Sequence, residues 1–366
     1  MIVVDAVKVL EYNRTVMKIS KIPGLGRFGI FIDDLDFTTI TDEEWLEVGQ
    51  LHLKNLVTII RNVNLEPRDY ENRILQWGFP RGLQSLKLAK KYKSCEFEKI
   101  ATEDFVNGIP VDPEDKKWCQ NISYVIASEV SEFTSVLRVS GMKNEEGKPL
   151  GMFQEGELLW HSNESGNLAF TPGVSLLAKK GVVGSATGFV TTTDWYESQS
   201  ESFRSELDEM VIQHEFTPGR INPGLREDQD DIMYKNMCPE PTEIPLVIQS
   251  PLGIKGLHYS VNTINKIKGM SAEESQKIFN IINTGIFTEE NIYDHWYQQD
   301  NDLCLFDNSI TLHRRLGGIS DRLCYRIQHD YSKITPTISP YFREPFISDY
   351  NQTINGYYEV QKMIES

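Results

Sequence analysis

Short apolar runs bounded by turn residues are the dominant pattern of hydrophobic and polar positions along this 366-residue chain. Residues 56–60, for example, are Leu-Val-Thr-Ile-Ile, a mostly β-branched and apolar run that is typical of a buried strand. We predict strands at residues 28–32, 56–60, 136–140, 158–162, 171–178, 188–193, 246–248, 257–261, 302–306 and 322–327.

Four stretches carry helical signals instead. Residues 41–52 and 271–282 both begin with the Ser/Thr-x-x-Glu form of a capping box, and apolar positions at spacings of three and four follow. Residues 66–78 begin with Glu-Pro and end at a glycine, as many helices do. Residues 194–210 begin with an aspartate that can cap a single helix.

Many short strands with helices at both edges predict a mainly β fold with flanking helices (α+β), in a single domain over residues 1–366. Residues 84–135 have a weaker pattern, which we interpret as an insertion or helical flank. We interpret residues 192–245 as a helix followed by an active-site lid, because long loops in compact domains are usually functional or disordered. Residues 332–366 are interpreted as a C-terminal extension.

Charge and cysteine usage limit the classes of partner. Lys and Arg number 37 against 53 Asp and Glu, so the formal net charge is −16, which repels polyanions and argues against nucleic acid. The five scattered cysteines form no Cys-x-x-Cys pair, so neither a disulfide framework nor a zinc ribbon is predicted. No signal peptide or membrane-spanning run is apparent. We expect a cytoplasmic protein with a small-molecule partner and no membrane partner; a homo-oligomer stays open.

Two of the seven histidines lie in informative contexts. His161 belongs to the run Trp-His-Ser-Asn-Glu-Ser, and His313 ends the run Phe-Asp-Asn-Ser-Ile-Thr-Leu-His. On a strand, residues i and i+2 point to the same side, so His161 and Asn163 can hold one ion. A second imidazole from a distant strand would complete a facial triad, the arrangement that leaves open positions on iron(II).

From about Gly26 to Tyr331, the sequence resembles the taurine dioxygenase-like (TauD/TfdA) family of Fe(II)/2-oxoglutarate-dependent oxygenases. Residues 160–163 resemble the Trp-His-Thr-Asp motif of the family, and residues 306–313 resemble its distal-histidine motif. Residues 322–326 resemble its paired arginines, four residues apart. The resemblance implies a double-stranded β-helix (jelly-roll) core and the cofactors Fe(II), 2-oxoglutarate and O2.

The resemblance also implies a role for each matching residue. His161 and His313 would be the two imidazole ligands of the metal. Arg322 would bind the distal carboxylate of 2-oxoglutarate through a bidentate, charge-assisted pair. Thr187 falls where a threonine of the family helps to hold that carboxylate. Arg326, on the same strand face, would point at the substrate and pair with an acidic group.

The chain departs from the family pattern at Asn163, where the family has Asp or Glu. An asparagine offers a carbonyl oxygen without a negative charge, so the affinity for iron should fall. Three interpretations stay open. Asn163 is a neutral ligand; or Glu164 replaces it after a backbone bulge, although a regular strand would direct Glu164 away; or the position is vacant, as in related halogenases, where a smaller residue leaves room for chloride.

We therefore interpret the chain as an Fe(II)/2-oxoglutarate-dependent dioxygenase that hydroxylates a small, acidic or zwitterionic molecule. One alternative is a halogenase or desaturase with the same cofactors, and another is a metal-poor relative that binds a ligand without catalysis. The presence of His161, His313, Thr187 and Arg322 argues against a complete loss of activity.

Overall fold

The computed structural model describes residues 8–12, 15–131, 133–153, 156–165, 171–215, 241–317, 321–335 and 349–365. Its strands are β1 Lys8–Tyr12, β2 Thr15–Lys21, β3 Ile30–Asp33, β4 Val57–Ile60, β5 Phe105–Val106, β6 Ile109–Pro110, β7 Leu137–Ser140, β8 Leu158–His161, β9 Gly173–Lys180, β10 Ala186–Thr191, β11 Val211–His214, β12 Thr242–Pro245, β13 Val247–Gln249, β14 Lys255–Leu257, β15 Ile264–Ile267, β16 Ile292–Trp296, β17 Asp302–Asp307, β18 Thr311–Leu316 and β19 Leu323–His329. Its helices are α1 Asp42–Asn55, α2 Pro67–Ile74, α3 Gln84–Tyr92, α4 Phe97–Thr102, α5 Pro113–Ile122, α6 Thr193–Ser198, α7 Glu201–Glu209, α8 Ala272–Ile286 and α9 Tyr350–Glu365.

Two sheets form the centre of the fold. The larger sheet has the strand order β1-β2-β3-β4-β17-β9-β19-β7, and the smaller sheet has the order β16-β10-β18-β8. From β7 to β10, and again from β16 to β19, consecutive strands alternate between the two sheets. This alternation is the connectivity of a double-stranded β-helix, so the predicted jelly-roll core with flanking helices is confirmed.

Strand β17 lies inside the larger sheet and is buried on both of its faces. It pairs with β4 on one side and β9 on the other, and all six of its residues are buried. Because side chains alternate along a strand, Leu303 and Leu305 pack in an outer cluster that includes Trp45 of α1. Cys304 and Phe306 point the other way, into the layer between the sheets.

The helices follow the predicted signals with two differences. Both capping boxes are present, at Thr41 before α1 and at Ser271 before α8. The helix predicted over 66–78 ends at Ile74. The prediction of one helix over 194–210 is wrong, because Gln199 is extended and Ser200 caps a separate helix by accepting a hydrogen bond from the Phe203 N–H.

The remaining predicted segments fall partly outside the described residues. Residues 84–122 contain α3, α4, α5 and the β5–β6 hairpin, whereas residues 216–240 of the predicted lid and residues 336–348 of the predicted extension are not described. None of the described helices combines the length and the apolar composition that a membrane-spanning helix needs.

Because β17 is buried on both faces, truncating one of its side chains should destabilise the protein far more than truncating an exposed side chain. Leu305→Ala should lower the free energy of unfolding by about 2–5 kcal/mol, because the deletion leaves a cavity in a packed layer. Leu46 on α1, which is 37% exposed, is the matched control. Leu46→Ala should change the free energy of unfolding by less than about 0.5 kcal/mol. Urea unfolding followed by circular dichroism measures both; equal effects would contradict the described core.

Candidate active site

His161 and His313 face each other on paired strands of the smaller sheet. Strand β8 runs antiparallel to β18, with His161 opposite His313 in the register. The centroids of the two rings are 4.1 Å apart, and the ring planes are inclined at 44°. Two histidines that are far apart in the sequence therefore meet at one point between the sheets.

The surroundings keep both imidazoles neutral. Nδ1 of His161 donates a hydrogen bond to the Leu159 carbonyl oxygen at 2.6 Å, which leaves the lone pair on Nε2. Burial lowers the pKa of His161 to about 4. Burial and the neighbouring His161 lower the pKa of His313 well below its ordinary value. Neutral imidazole is the form that binds metal ions, so the pair can supply two nitrogen ligands.

A small cavity of about 50 Å³ lies beside the histidine pair, with apolar walls that include Leu176 and Phe306. Its polar lining residues are His161, Asn163, Thr187, His313, Arg314, Arg315, Arg322 and Arg326. No carboxylate lines it in the part of the chain that the structure describes. The cavity is therefore rich in positive charge, although the whole chain is strongly acidic.

Thr187 lies on β10, and a buried tyrosine holds its side chain. The Thr187 hydroxyl is 2.8 Å from the hydroxyl of Tyr297, which is also 3.6 Å from the Cys304 thiol. Burial raises the pKa of the Tyr297 phenol well above its ordinary value, so this hydroxyl keeps its proton. Tyr297 can then donate to Thr187, which leaves the Thr187 proton available for an anion in the cavity.

The two arginines predicted from the sequence reach the same cavity. Arg322 immediately precedes β19 and Arg326 lies within it, and Cys324 between them also lines the cavity. This agrees with the two-residue period of a strand. Arg322 is only 4% exposed, and its Nε has no hydrogen-bond partner among the described residues. Burying such a group is unfavourable unless an anion binds it, so Arg322 fits a carboxylate ligand.

Arg315 is a cavity residue that our sequence interpretation missed. It is 6% exposed, and its guanidinium donates to the carbonyl oxygens of Gly156, at 2.8 Å, and Phe153. The available signal was its position two residues after His313 on the same strand, which places both side chains on one face. Arg314, by contrast, forms an ion pair with Asp294 at 2.7 Å.

Asn163 and Glu164 point to different surroundings. Asn163 is 7% exposed and lines the cavity, and its Nδ2 has no hydrogen-bond partner within the described ranges. Glu164 has a left-handed backbone with φ of 68° and does not line the cavity. Its carboxylate forms an ion pair with Arg81 and accepts a hydrogen bond from the Thr171 hydroxyl at 3.0 Å.

These side chains fit a divalent metal ion, but without the usual carboxylate. Two neutral imidazoles and the amide oxygen of Asn163 offer three neutral donors at one cavity. Among the described residues, no group of three His, Cys, Asp or Glu side chains is placed to hold a metal. The buried guanidinium of Arg322 and the hydroxyl of Thr187 fit the anionic co-substrate that the sequence resemblance implied.

A jelly roll with a buried imidazole pair and a buried arginine at one cavity fits a metal-dependent oxygenase. The sequence model of the family "Taurine catabolism dioxygenase TauD, TfdA family" matches residues 19–327, well over half of the chain. The chain therefore belongs to the TauD/TfdA family. It is a 2-oxoglutarate-dependent dioxygenase, and its cofactors are Fe(II), 2-oxoglutarate and O2, as the sequence resemblance implied.

Solved structures show the same fold at low sequence identity. AAD-2 in complex with Mn(II) and N-oxalylglycine is 18% identical, with a TM-score of 0.59 over 90% of this chain and 99% of that chain. A taurine dioxygenase from Burkholderia xenovorans is 17% identical, with a TM-score of 0.55 over 92% of this chain and 97% of that chain. No curated protein sequence matches this chain significantly.

The burial of Arg322 predicts that its side chain is needed to bind 2-oxoglutarate but does not stabilise the ligand-free protein. Arg322→Met should leave the free energy of unfolding of the ligand-free protein unchanged or raise it by about 1–2 kcal/mol, because a poorly satisfied buried charge is removed. The same substitution should abolish the rise in melting temperature that 2-oxoglutarate produces. A loss of more than about 2 kcal/mol in the ligand-free protein would contradict this assignment.

Proposed function

We propose that the enzyme hydroxylates a small acidic or zwitterionic molecule, with the metal held by His161, His313 and Asn163. The observation that carries the proposal is the meeting of two neutral imidazoles, the Asn163 amide and Arg322 at one buried cavity. The metal, when bound, supplies the coordination of 2-oxoglutarate and dioxygen and the redox chemistry. The protein supplies ligands, anion contacts and apolar walls that exclude water.

The third metal position is the unusual part of the proposal. Asn163 lines the cavity, whereas both carboxylate oxygens of Glu164 have partners outside it. This supports a neutral amide ligand over Glu164. Asparagine contributes no negative charge, so the metal should bind less tightly than it does to a 2-His-1-carboxylate triad.

The co-substrate site combines a guanidinium with an oriented hydroxyl. Arg322 can form two parallel charge-assisted hydrogen bonds to a carboxylate, and such pairs are strong when water is excluded. Thr187 can add one further donor, because the Tyr297 hydroxyl can donate to its oxygen. We propose that these residues together bind the distal carboxylate of 2-oxoglutarate.

The charge of the cavity supports an acidic group on the substrate. Arg326 and Arg315 line the cavity together with Arg322, and the described lining residues include no carboxylate side chain. One guanidinium is assigned to 2-oxoglutarate, which leaves positive charge to attract a further anion. We assign Arg326 to an acidic group of the substrate, as its position in the family motif implied.

The function is tested by turnover with candidate small molecules. Purified protein with Fe(II), ascorbate and 2-oxoglutarate should convert 2-oxoglutarate to succinate when a panel of amino acids and small organic acids includes a substrate. His313→Ala is the control and should lose this stimulation. Oxygenated product masses support hydroxylation, and chloride-dependent masses would indicate a halogenase. Stimulation only by uncharged or cationic compounds would contradict the proposed substrate class.

The proposed role of Asn163 predicts a gain from restoring the carboxylate. Asn163→Asp should tighten Fe(II) binding at least tenfold, about 1.4 kcal/mol, because an anionic ligand replaces a neutral one. Glu164→Ala should leave the metal affinity within about threefold of the wild-type value. Anaerobic titration measures both constants; an unchanged affinity in Asn163→Asp together with a collapse in Glu164→Ala would transfer the role to Glu164.

The hydrogen bond between Tyr297 and Thr187 predicts that loss of the tyrosine hydroxyl raises the KM for 2-oxoglutarate without changing metal binding. Tyr297→Phe removes one hydroxyl without changing the ring, so Thr187 can turn away from the cavity. The KM for 2-oxoglutarate should rise about 3- to 10-fold, while the affinity for Fe(II) stays the same. Tyr293→Phe is the matched control, since its hydroxyl contacts His295 rather than Thr187. A lower metal affinity with an unchanged KM would refute this role.

A further inference from the structure

Asn308 is a buried residue whose amide oxygen and both amide N–H groups form hydrogen bonds near Asn163. It lies in the turn between β17 and β18 and is 0% exposed. Its Oδ1 accepts a hydrogen bond from the Asn163 backbone N–H at 2.7 Å. Its Nδ2 donates to the carbonyl oxygens of Asn163, at 3.0 Å, and Thr171, at 2.9 Å.

Two of these three bonds hold the backbone of one residue at both ends. The carboxamide of Asn308 binds the N–H and the C=O of Asn163, as a neighbouring strand residue would. Because both groups are fixed, the peptide planes on either side of residue 163 cannot rotate freely. The direction in which the Cα–Cβ bond of Asn163, a cavity-lining residue, leaves the backbone is then restricted as well.

Only an amide suits this position. The site requires one acceptor and two donors, and the carboxamide of Asn or Gln provides them on one planar group. The preceding residue holds the turn itself, since Asp307 accepts hydrogen bonds from the N–H groups of Ser309 and Ile310 at 2.8 and 2.9 Å. The chain then enters β18 directly and reaches His313. Asn308 therefore links residue 163 to the strand that carries the second histidine.

We infer that Asn308 is a positioning residue that holds Asn163, rather than Glu164, at the metal site. The left-handed backbone of Glu164 and its contacts with Arg81 and Thr171 direct its carboxylate away from the cavity. Thr171 also accepts the third hydrogen bond of Asn308, so one network arranges both residues. The inference rests on the proposed role of Asn163 as a ligand.

A double-mutant cycle separates positioning from general stability. Cobalt(II) is titrated anaerobically into the wild type, Asn163→Asp, Asn308→Ala and the double variant, and its visible absorption gives the dissociation constants without turnover. Asn163→Asp should tighten binding at least tenfold when Asn308 is present, but less than threefold in the Asn308→Ala background. The expected result is therefore a coupling between the two sites rather than a uniform loss.

A half-buried asparagine provides the matched control. Asn291 also donates two hydrogen bonds from Nδ2 to carbonyl oxygens, those of Thr191 and Ile286, each at 2.9 Å, and it does not line the cavity. In the Asn291→Ala background, the full tenfold gain from Asn163→Asp should remain. If Asn308→Ala does not fold, Asn308→Ser is used, because a single hydroxyl cannot replace the two hydrogen bonds that Nδ2 of Asn308 donates.

The outcomes distinguish this inference from the proposed function. A tenfold gain that persists with Ala or Ser at position 308 overturns the positioning role and leaves Asn163 as a ligand. No gain from Asn163→Asp in any background overturns both the ligand role and the positioning role. In that case, loss of cobalt binding in His161→Ala and His313→Ala would still support a metal site built on the two imidazoles.

Discussion

The pairing of β8 with β18 is the constraint on which the rest of the site depends. His161 and His313 are opposite each other in this register, and their rings meet between the two sheets. A slip of one residue would turn one of the two side chains to the opposite face, because the period of a strand is two residues. The position of Asn163, two residues after His161, and the histidine side of the cavity depend on this register.

The cavity concentrates groups that are unfavourable in the absence of ligands. Two imidazoles are buried without charge, Arg322 has an unsatisfied donor among the described residues, and Asn163 leaves its Nδ2 without a partner there. Each of these groups costs stability, since buried polar groups normally find partners. In the proposed assignment, a metal ion would bind the two imidazoles, and an anionic co-substrate would accept a hydrogen bond from Arg322. The cost is offset elsewhere by strands such as β17, which are buried on both faces.

The sequence was sufficient for the fold class and for the pair of distant histidines. Six of the eight strands that alternate between the sheets, and both capping boxes, had clear local signals, whereas β16 and β18 were not predicted as strands. The features of the site that the sequence could not predict depend on contacts between distant segments. The hydrogen bonds between Asn308 and the Asn163 backbone join residues 145 positions apart, and Glu164 forms an ion pair with the distant Arg81. The sequence prediction did not separate α6 from α7. Capping signals and apolar periodicity alone are compatible with one continuous helix, whereas in the structure Ser200 is the N-cap of α7.

The account is tested most directly by counting the nitrogen ligands of a bound metal. Electron spin echo envelope modulation of the vanadyl-loaded protein should show two imidazole nitrogens. Either His161→Ala or His313→Ala should reduce the number to one without unfolding the protein. A spectrum without imidazole nitrogen, or one that neither substitution changes, would contradict the claim that the paired strands bring these two rings to one metal ion.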